Sequence, residues 1–142
     1  MMAITSGICI SFKKEILLGE HDLDTDTIKL ALYTSTASLS DGTTAYTTSG
    51  ETAGTGYSAG GLTLTGIDVT TDSSVAVVSI TDAVVSTATI TARGALIYNS
   101  TQSNKAVAVF DFGADKSSSN GNFTIQFPSA AAATAIIRIK SS

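Results

Sequence analysis

The 142-residue chain has one cysteine, one histidine, one proline and no tryptophan. Its single cysteine, Cys9, cannot form an intrachain disulfide, and we expect it to be a buried apolar side chain. A single histidine, His21, is weak evidence for a zinc site or a catalytic pair, because such sites combine histidine with thiolates or further ligands. We expect His21 to be solvated at the end of a helix.

Charge is also scarce. The chain has 12 acidic and 8 basic residues, a net charge of −4, and charged residues make up 14% of it, where about a quarter is usual. An acidic chain is unsuited to nucleic acid or to an anionic membrane surface, since both present phosphates. Low charge density is compatible with close packing in an assembly, because little repulsion opposes neighbouring copies.

The sequence lacks an apolar run of about 20 residues, the length that spans a membrane as a helix. Lys13 and Lys14 follow the apolar residues of the N-terminus instead of preceding them, which is not the order of a secretion signal. We therefore expect synthesis in the cytoplasm without export.

Ser, Thr, Ala and Gly fill the place of the missing residue types, and with Val and Ile they favour strands joined by turns. The best-organised stretch is Arg93–Phe127, in which polar loops separate three apolar runs. These runs are Ala95–Tyr98, Ala106–Phe112 and Phe123–Phe127. The dipeptide Asn120-Gly121 tolerates positive φ and predicts a tight hairpin, so the stretch is predicted to be an antiparallel meander.

The remaining pattern predicts one all-β domain over residues 1–142, with an N-terminal arm at 1–12 and a long loop at 35–61. Residues Ser11–Gly19 are predicted to form a short helix, with Ser11 as cap and Gly19 as terminator. Further predicted strands are Ile28–Thr34, Leu62–Val69, Ser74–Ile80, Ala88–Ala92 and Ala135–Lys140, with a short one near Tyr46. About eight strands with short turns are typical of a β-sandwich or a jelly roll.

Two motifs match the patterns of a catalytic site and of a calcium site, but each lacks residues or elements that the site requires. Gly56-Tyr-Ser-Ala-Gly60 matches the G-x-S-x-G nucleophile elbow, but a β-like segment follows it and the histidine lies upstream, which is the wrong order. Asp22, Asp24 and Asp26 have the spacing of a calcium loop, but the glycine and the bidentate glutamate of that loop are missing. We expect a glycine-rich turn and a polar loop, and we expect neither catalysis nor a cofactor.

Two interpretations remain open for each of two further features. Asp111 either ends a strand in water or pairs with Arg93 across the sheet. Tyr46 and Tyr57 lie in the long loop. They either form a protein or sugar interface or anchor the loop as half-buried side chains.

Four segments of the chain are similar to small virion proteins of tailed bacteriophages, chiefly podoviruses. The segments are Asp26–Tyr33 (DTIKLALY), Thr44–Glu51 (TAYTTSGE), Gly54–Gly61 (GTGYSAGG) and the Arg93–Phe127 meander. The chain resembles the cement or decoration proteins of the capsid. The resemblance implies a sandwich or jelly roll, bound as a homodimer or other homo-oligomer to the major capsid protein on the outside of an HK97-type shell. It implies a virion protein made in the host cytoplasm.

The contact elements of such a protein are expected in the loops and termini that a packed sandwich leaves free. The candidate contact residues are Tyr46, Thr47, Glu51, Tyr57, Ile4 and Ile8. Three other functions remain as alternatives: a tail or head-fibre component, a carbohydrate-binding module, and a hydrolase that uses Ser58.

Overall fold

The computed structural model describes residues 3–140, which contain eight strands and one short helix. The first two residues of the predicted N-terminal arm and residues 141–142 lie outside the described residues. The elements are β1 (Gly7–Ile8), α1 (Ile10–Leu17), β2 (Ile28–Tyr33), β3 (Leu62–Thr63), β4 (Asp68–Asp72), β5 (Val75–Ser79), β6 (Ala83–Asn99), β7 (Lys105–Ile125) and β8 (Ile137–Ile139).

The strands form two antiparallel sheets, which confirms the all-β prediction. The larger sheet has the order β1-β7-β6-β2-β3 and the smaller one has the order β4-β5-β8. One apolar core joins them, because Val78 and Ile137 of the small sheet are buried in the same cluster as Leu30, Leu96 and Val107 of the large sheet. This arrangement is that of a β-sandwich; the jelly-roll connectivity stays a prediction.

The predicted three-strand meander is wrong, since its residues form the end of β6 and the whole of β7. These two strands are paired from Asn99↔Lys105 to Ala83↔Ile125, and their turn lies at residues 100–104. Asn120 has a φ of 50° inside β7, next to a register shift in the ladder. The positive φ that Asn-Gly tolerates therefore serves a β-bulge here, not a hairpin turn.

The short helix begins one residue earlier and ends two residues earlier than predicted. It begins at Ile10 with Cys9 as N-cap and ends at Leu17, so Ser11 lies inside it and is not the cap. Gly19 has a φ of +73° two residues beyond the helix end. Phe12 is its buried residue, and the helix depends on this contact because two turns are too short to be stable alone.

The predicted strand Leu62–Val69 is divided in two. Its first residues pair with β2 in the large sheet and its last residues pair with β5 in the small sheet. Gly66, with a φ of +61°, lies between the two parts. The chain therefore crosses from one sheet to the other at a position where the local pattern predicts continuity.

The long loop of residues 35–61, called the strap below, is bonded to the large sheet along its length. The amide of Tyr46 donates to the carbonyl of Asn104 at 3.0 Å, and the amide of Thr52 donates to the carbonyl of Leu32 at 2.8 Å. Further on, Thr55 pairs with Thr89 of β6. The strap thus covers the open edges of the sheet, and it is not a detached arm.

The strap ends where Gly61 passes β2 so closely that a side chain has no room. A Cβ at Gly61 would overlap the carbonyl oxygen of Leu30, and the φ of Gly61 is +79°. Gly19 has a similar φ of +73° with no atom within 4 Å of its Cβ position. A substitution at Gly19 therefore causes backbone strain alone, whereas one at Gly61 causes backbone strain and steric overlap.

We predict that Gly61→Ala lowers the free energy of unfolding by at least about 3 kcal/mol, because strain and overlap add. Gly19→Ala serves as the control and should cost only the strain, about 1–2 kcal/mol. Urea unfolding followed by circular dichroism measures both. Equal losses in the two variants would contradict the close passage of the strap over β2.

Candidate functional site

Glu51 is the centre of a cluster that holds the strap. One carboxylate oxygen, Oε2, accepts a hydrogen bond from the hydroxyl of Tyr46 at 2.6 Å. The other, Oε1, accepts from the hydroxyl of Tyr57 at 2.7 Å and from the amide of Gly60 at 2.8 Å. Three donors from three parts of the strap therefore converge on one carboxylate, and bonds to a charged acceptor are the stronger kind.

The other two tyrosines complete the cluster from the large sheet. The Tyr33 hydroxyl donates to the carbonyl of Thr47 and the Tyr98 hydroxyl donates to the carbonyl of Gly60, both at 2.6 Å. The rings of Tyr46 and Tyr98 stack with their centroids 4.8 Å apart. All four tyrosines of the chain thus fix the strap against the sheet.

Burial raises the pKa of every tyrosine in the cluster. The pKa of Tyr46 is raised to about 12, first by burial and then by its hydrogen bond to Glu51. Burial is the main cause for Tyr33, Tyr57 and Tyr98 as well, whose pKa values also lie above the ordinary value. A tyrosinate beside the Glu51 carboxylate would add a second negative charge to a partly buried site.

Four of the candidate contact residues, Tyr46, Thr47, Glu51 and Tyr57, therefore lie together in this cluster, each half-buried. Of the two interpretations of Tyr46 and Tyr57, the structure shows the anchoring one: their hydroxyls are bonded inside the chain. Contact with a partner stays a prediction for these residues. A strap held in this way cannot be removed without exposing the edges of the sheet.

The two N-terminal candidates lie apart from the cluster. Ile4 is buried and pairs with Leu39 of the strap. Ile8 is half-buried, pairs with Ala108 of β7 and faces a groove described below. The described part of the N-terminal arm is thus a component of the sheet, and Ile8 is the candidate that reaches an open surface.

The prediction of a solvated His21 is wrong, because the side chain is buried beneath α1. Its Nε2 lies 3.0 Å from a carboxylate oxygen of Glu15 and its Nδ1 lies 3.0 Å from Nδ2 of Asn99. Since the Asn99 amide nitrogen can only donate, Nδ1 accepts and Nε2 carries the proton toward Glu15. The ring also packs on Phe12, with centroids 4.9 Å apart.

Asn99 links this histidine to the acidic loop. Its Nδ2 also donates to Oδ2 of Asp26 at 2.8 Å, while its Oδ1 accepts from the amides of Thr101 and Gln102. The hydrogen bond from Asn99 is the main reason that the pKa of Asp26 is lowered, with the amide of Asp22 as the second. The buried Asn99 side chain is therefore fully satisfied, and it fixes the loop to the start of the β6–β7 turn.

The three aspartates of this loop do not converge on one point. Oδ1 of Asp22 accepts from the backbone amides of Asp24 and Thr25, and Asp26 is bonded to Asn99. Among residues 3–140, no group of three or more His, Cys, Asp or Glu side chains is placed to hold a metal ion. The loop carries carboxylates that organise its own backbone.

The G-x-S-x-G match does not form a nucleophile elbow. Gly56, Gly60 and Gly61 all have positive φ values, and β3 follows the segment where an elbow needs a helix. Cys9 is fully buried, as predicted, and burial raises the pKa of its thiol to about 11. The thiol is therefore protonated at neutral pH and is not a ready nucleophile.

Asp111 pairs with Arg93, which decides between its two interpretations. The Arg93 Nε lies 3.5 Å from Oδ1 of Asp111, and Nη1 lies 3.6 Å from Asp115. All three side chains are at least one-third exposed, so the pair contributes little to stability. Its role is structural.

The sequence patterns missed an apolar groove between α1 and the small sheet. The groove has a volume of about 680 Å³. One wall is formed by Ile8, Phe12, Ile16 and Leu17 of the N-terminal elements. The other wall is formed by Val69, Ala76, Val78, Ile137 and Ile139 of the small sheet.

Three large exposed apolar side chains, Leu17, Val69 and Ile139, line this groove, and exposed Leu18 lies beside it. Leu17 and Leu18 are 85% and 61% exposed at the end of α1, and Val69 and Ile139 are 47% and 58% exposed on the opposite wall. Large apolar patches on an otherwise polar surface mark protein contacts. The sequence signal was the Ile16-Leu17-Leu18 run, of which a two-turn helix can bury only one face.

Comparisons of the chain with protein-family models, with curated proteins and with solved structures found no match. Within the described residues, no helix is both long and apolar enough to cross a membrane. The groove and the strap therefore have to be interpreted from their own geometry.

The tyrosine cluster predicts an unusual alkaline titration. A tyrosine whose folded pKa lies above its unfolded value of 10 stabilises the fold fully below pH 10 and loses this contribution as pH rises toward the folded value. We expect the tyrosinate ultraviolet absorbance to stay near its baseline at pH 10 and to rise near pH 12 together with unfolding.

The control for this titration is the denatured chain, in which all four tyrosines should ionise near pH 10. Glu51→Gln should lower the pH at which alkaline unfolding begins, because the amide nitrogen of glutamine cannot accept the hydrogen bonds that one carboxylate oxygen accepts. Two or more tyrosines that ionise near pH 10 in the folded protein would contradict the cluster.

The Asp26–Asn99 hydrogen bond predicts an acid dependence. The folded pKa of Asp26 is lowered, so its contribution to stability is present above the unfolded pKa of about 4 and is lost as pH falls through the folded value. Asp26→Asn should therefore flatten the decline of the unfolding free energy below pH 4. Urea unfolding at several pH values measures the slope.

Asp24→Asn is the matched control, since it makes the same change on an exposed residue of the same loop. If the unfolding free energy of Asp26→Asn declines below pH 4 as steeply as that of the unaltered protein, the Asn99 contact does not favour the ionised carboxylate.

Proposed function

We propose that the chain is a structural protein of a bacteriophage virion that binds other protein subunits through the groove between α1 and the small sheet. The observation that carries the proposal is the set of exposed apolar side chains that line this groove or lie beside it. Leaving Leu17, Leu18 and Ile139 in water is unfavourable, and a partner that covers them gains about 1.5–3 kcal/mol for each side chain fully buried.

The finer proposal is a cement or decoration protein. It places the chain on the outside of an HK97-type capsid, with the major capsid protein as partner. Its support is the resemblance of segments such as Asp26–Tyr33 and Gly54–Gly61 to virion proteins of podoviruses. In this proposal an apolar segment of the capsid subunit occupies the groove beside Ile8 and Leu17.

The stabilising mechanism is interfacial. Many copies each bury a modest area on the shell, and multivalent attachment raises the effective concentration of every later contact. If the protein binds the assembled lattice and not free subunits, its binding free energy shifts the equilibrium toward the assembled shell. The rigid hairpin of β6 and β7 serves as the scaffold that keeps the groove in place.

We further propose that the chain is not an enzyme. The geometry of the three candidate groups supports this. Ser58 lies in a turn without a following helix, His21 is bonded to Glu15 and Asn99, and the Cys9 thiol is buried. The carbohydrate-binding alternative has little aromatic platform, because Tyr46 and Tyr57 are half-buried and one face of the Tyr46 ring stacks on Tyr98.

We predict that the double substitution Leu17→Gln and Leu18→Gln weakens binding to capsids of the encoding phage by about tenfold or more, since two apolar contacts are lost. The fold should be unaffected, because both side chains are exposed and glutamine is a good helix former. Quantitative gel analysis of capsids purified after incubation with the protein measures the occupancy.

Val84→Gln is the matched control, because Val84 is 41% exposed on β6 and does not line the groove. Full occupancy by the double variant would contradict the groove as contact surface. A copy number of tens or fewer per virion, instead of hundreds, would favour the tail or head-fibre alternative over a cement protein.

A further inference from the structure

The small sheet has two open edges. It has the order β4-β5-β8, so β4 and β8 each pair with β5 alone, and within residues 3–140 no backbone hydrogen bond reaches their outer sides. Natural proteins usually cover, charge or pair such edges, since unpaired amides and carbonyls attract further strands. Here neither edge is paired with a further strand within the described chain.

Both edges present an apolar side chain on the same face of the sheet. The register pairs Val69 with Val78 and Val78 with Ile137, and it pairs Ala76 with Ile139. Because side chains two residues apart share a face, these five side chains belong to one face. Val69 at one edge is 47% exposed and Ile139 at the other is 58% exposed.

The opposite face carries charges of opposite sign at the two edges. Thr70 pairs with Val77, and Val77 pairs with Arg138, so Asp68 and Asp72 of β4 lie on the face of Arg138. One Arg138 nitrogen, Nη1, donates to the carbonyls of two alanines in the preceding turn, and this leaves its other N–H groups for a carboxylate. Oδ2 of Asp72 accepts from the amide of Ala132 at 2.6 Å, so Asp68, which is exposed, is the main acidic group of the β4 edge, and the β8 edge is basic.

We propose that β4 of one copy pairs with β8 of a second copy, head to tail, so that the small sheets of neighbouring molecules form one continuous sheet. Both strands are antiparallel to β5, so the new pair is parallel. With Arg138 of one copy beside Thr70 of the next, its guanidinium lies between Asp68 and Asp72, and Ile137 lies beside Val69. One register then satisfies the edges, the apolar face and the charges.

A second copy fits these edges better than an unrelated strand, because each edge carries what the other lacks. The contact joins two different surfaces, so it closes into a ring or continues as a filament and does not stop at a symmetric dimer. The inference does not rest on the capsid proposal. Val69 and Ile139 line the groove as well as the edges, so the tests of the two proposals use different residues, Asp68 and Arg138 for the edges and the leucines at the end of α1 for the groove.

The test is sedimentation of the purified full-length chain over a range of concentrations. The unaltered protein should form concentration-dependent oligomers. Asp68→Lys should weaken association by about tenfold or more, since it places a cation opposite Arg138. Asp115→Lys makes the same charge change on an exposed carboxylate of β7 and should leave association unchanged.

Charge exchange identifies the two edges. Arg138→Glu should also weaken association, and a chain that carries both Asp68→Lys and Arg138→Glu should recover it. A mixture of the two single variants should also recover association, with the two kinds of copy alternating. The two altered edges are complementary to each other, and so are the two unaltered edges. Circular dichroism of each variant checks folding, and Asp68→Lys alone keeps the test decisive if Arg138→Glu does not fold.

A protein that stays monomeric at the highest concentrations would overturn the proposal. So would association that Asp68→Lys does not weaken, or a symmetric dimer that Leu17→Gln with Leu18→Gln dissociates while Asp68→Lys does not. Loss of capsid binding with association intact would contradict the capsid proposal alone, so the two proposals fail separately.

Discussion

The fold depends on the Glu51 carboxylate and the donors that meet on it. Hydrogen bonds from Tyr46, Tyr57 and Gly60 hold the 27-residue strap, residues 35–61, against the large sheet. Without them the edge of β2 would lose its partners, since Thr52 and Tyr57 supply the groups that bond its Leu32. A partly buried carboxylate is costly unless its hydrogen bonds are made, so the cluster is formed together or not at all.

The strap also determines which surfaces remain open. It covers the tyrosine-bearing face of the large sheet, while α1 and the small sheet are held apart on another side and leave the apolar groove between them. The network of His21 with Glu15 and Asn99 fixes the segment after α1 at the floor of this region. The polar clusters therefore stabilise the scaffold, and the surfaces proposed for binding are the apolar ones.

For the candidate contact residues, the sequence pattern predicted positions along the chain but not hydrogen-bond partners. The sequence placed Tyr46 and Tyr57 in a long loop and identified loops as contact elements, but it could not show that both hydroxyls bond one glutamate. The leucines of α1 were read as helix residues, and their exposure follows only from the space beside the small sheet. A contact surface consists of the side chains that packing within the chain leaves exposed, so it cannot be identified before that packing is known.

The sequence by itself determined the strand-rich class, the position of β2, the burial of Cys9 and the positive φ of Asn120. These are local properties, fixed by alternation of side chains and by residue type. Only the tertiary structure decided that Asn120 marks a bulge within β7, that Leu62 and Val69 belong to different sheets, and that Asn99 is matched to His21. The physical reason is that strand pairing and buried hydrogen bonds join residues far apart in the chain, and no local pattern records the partner.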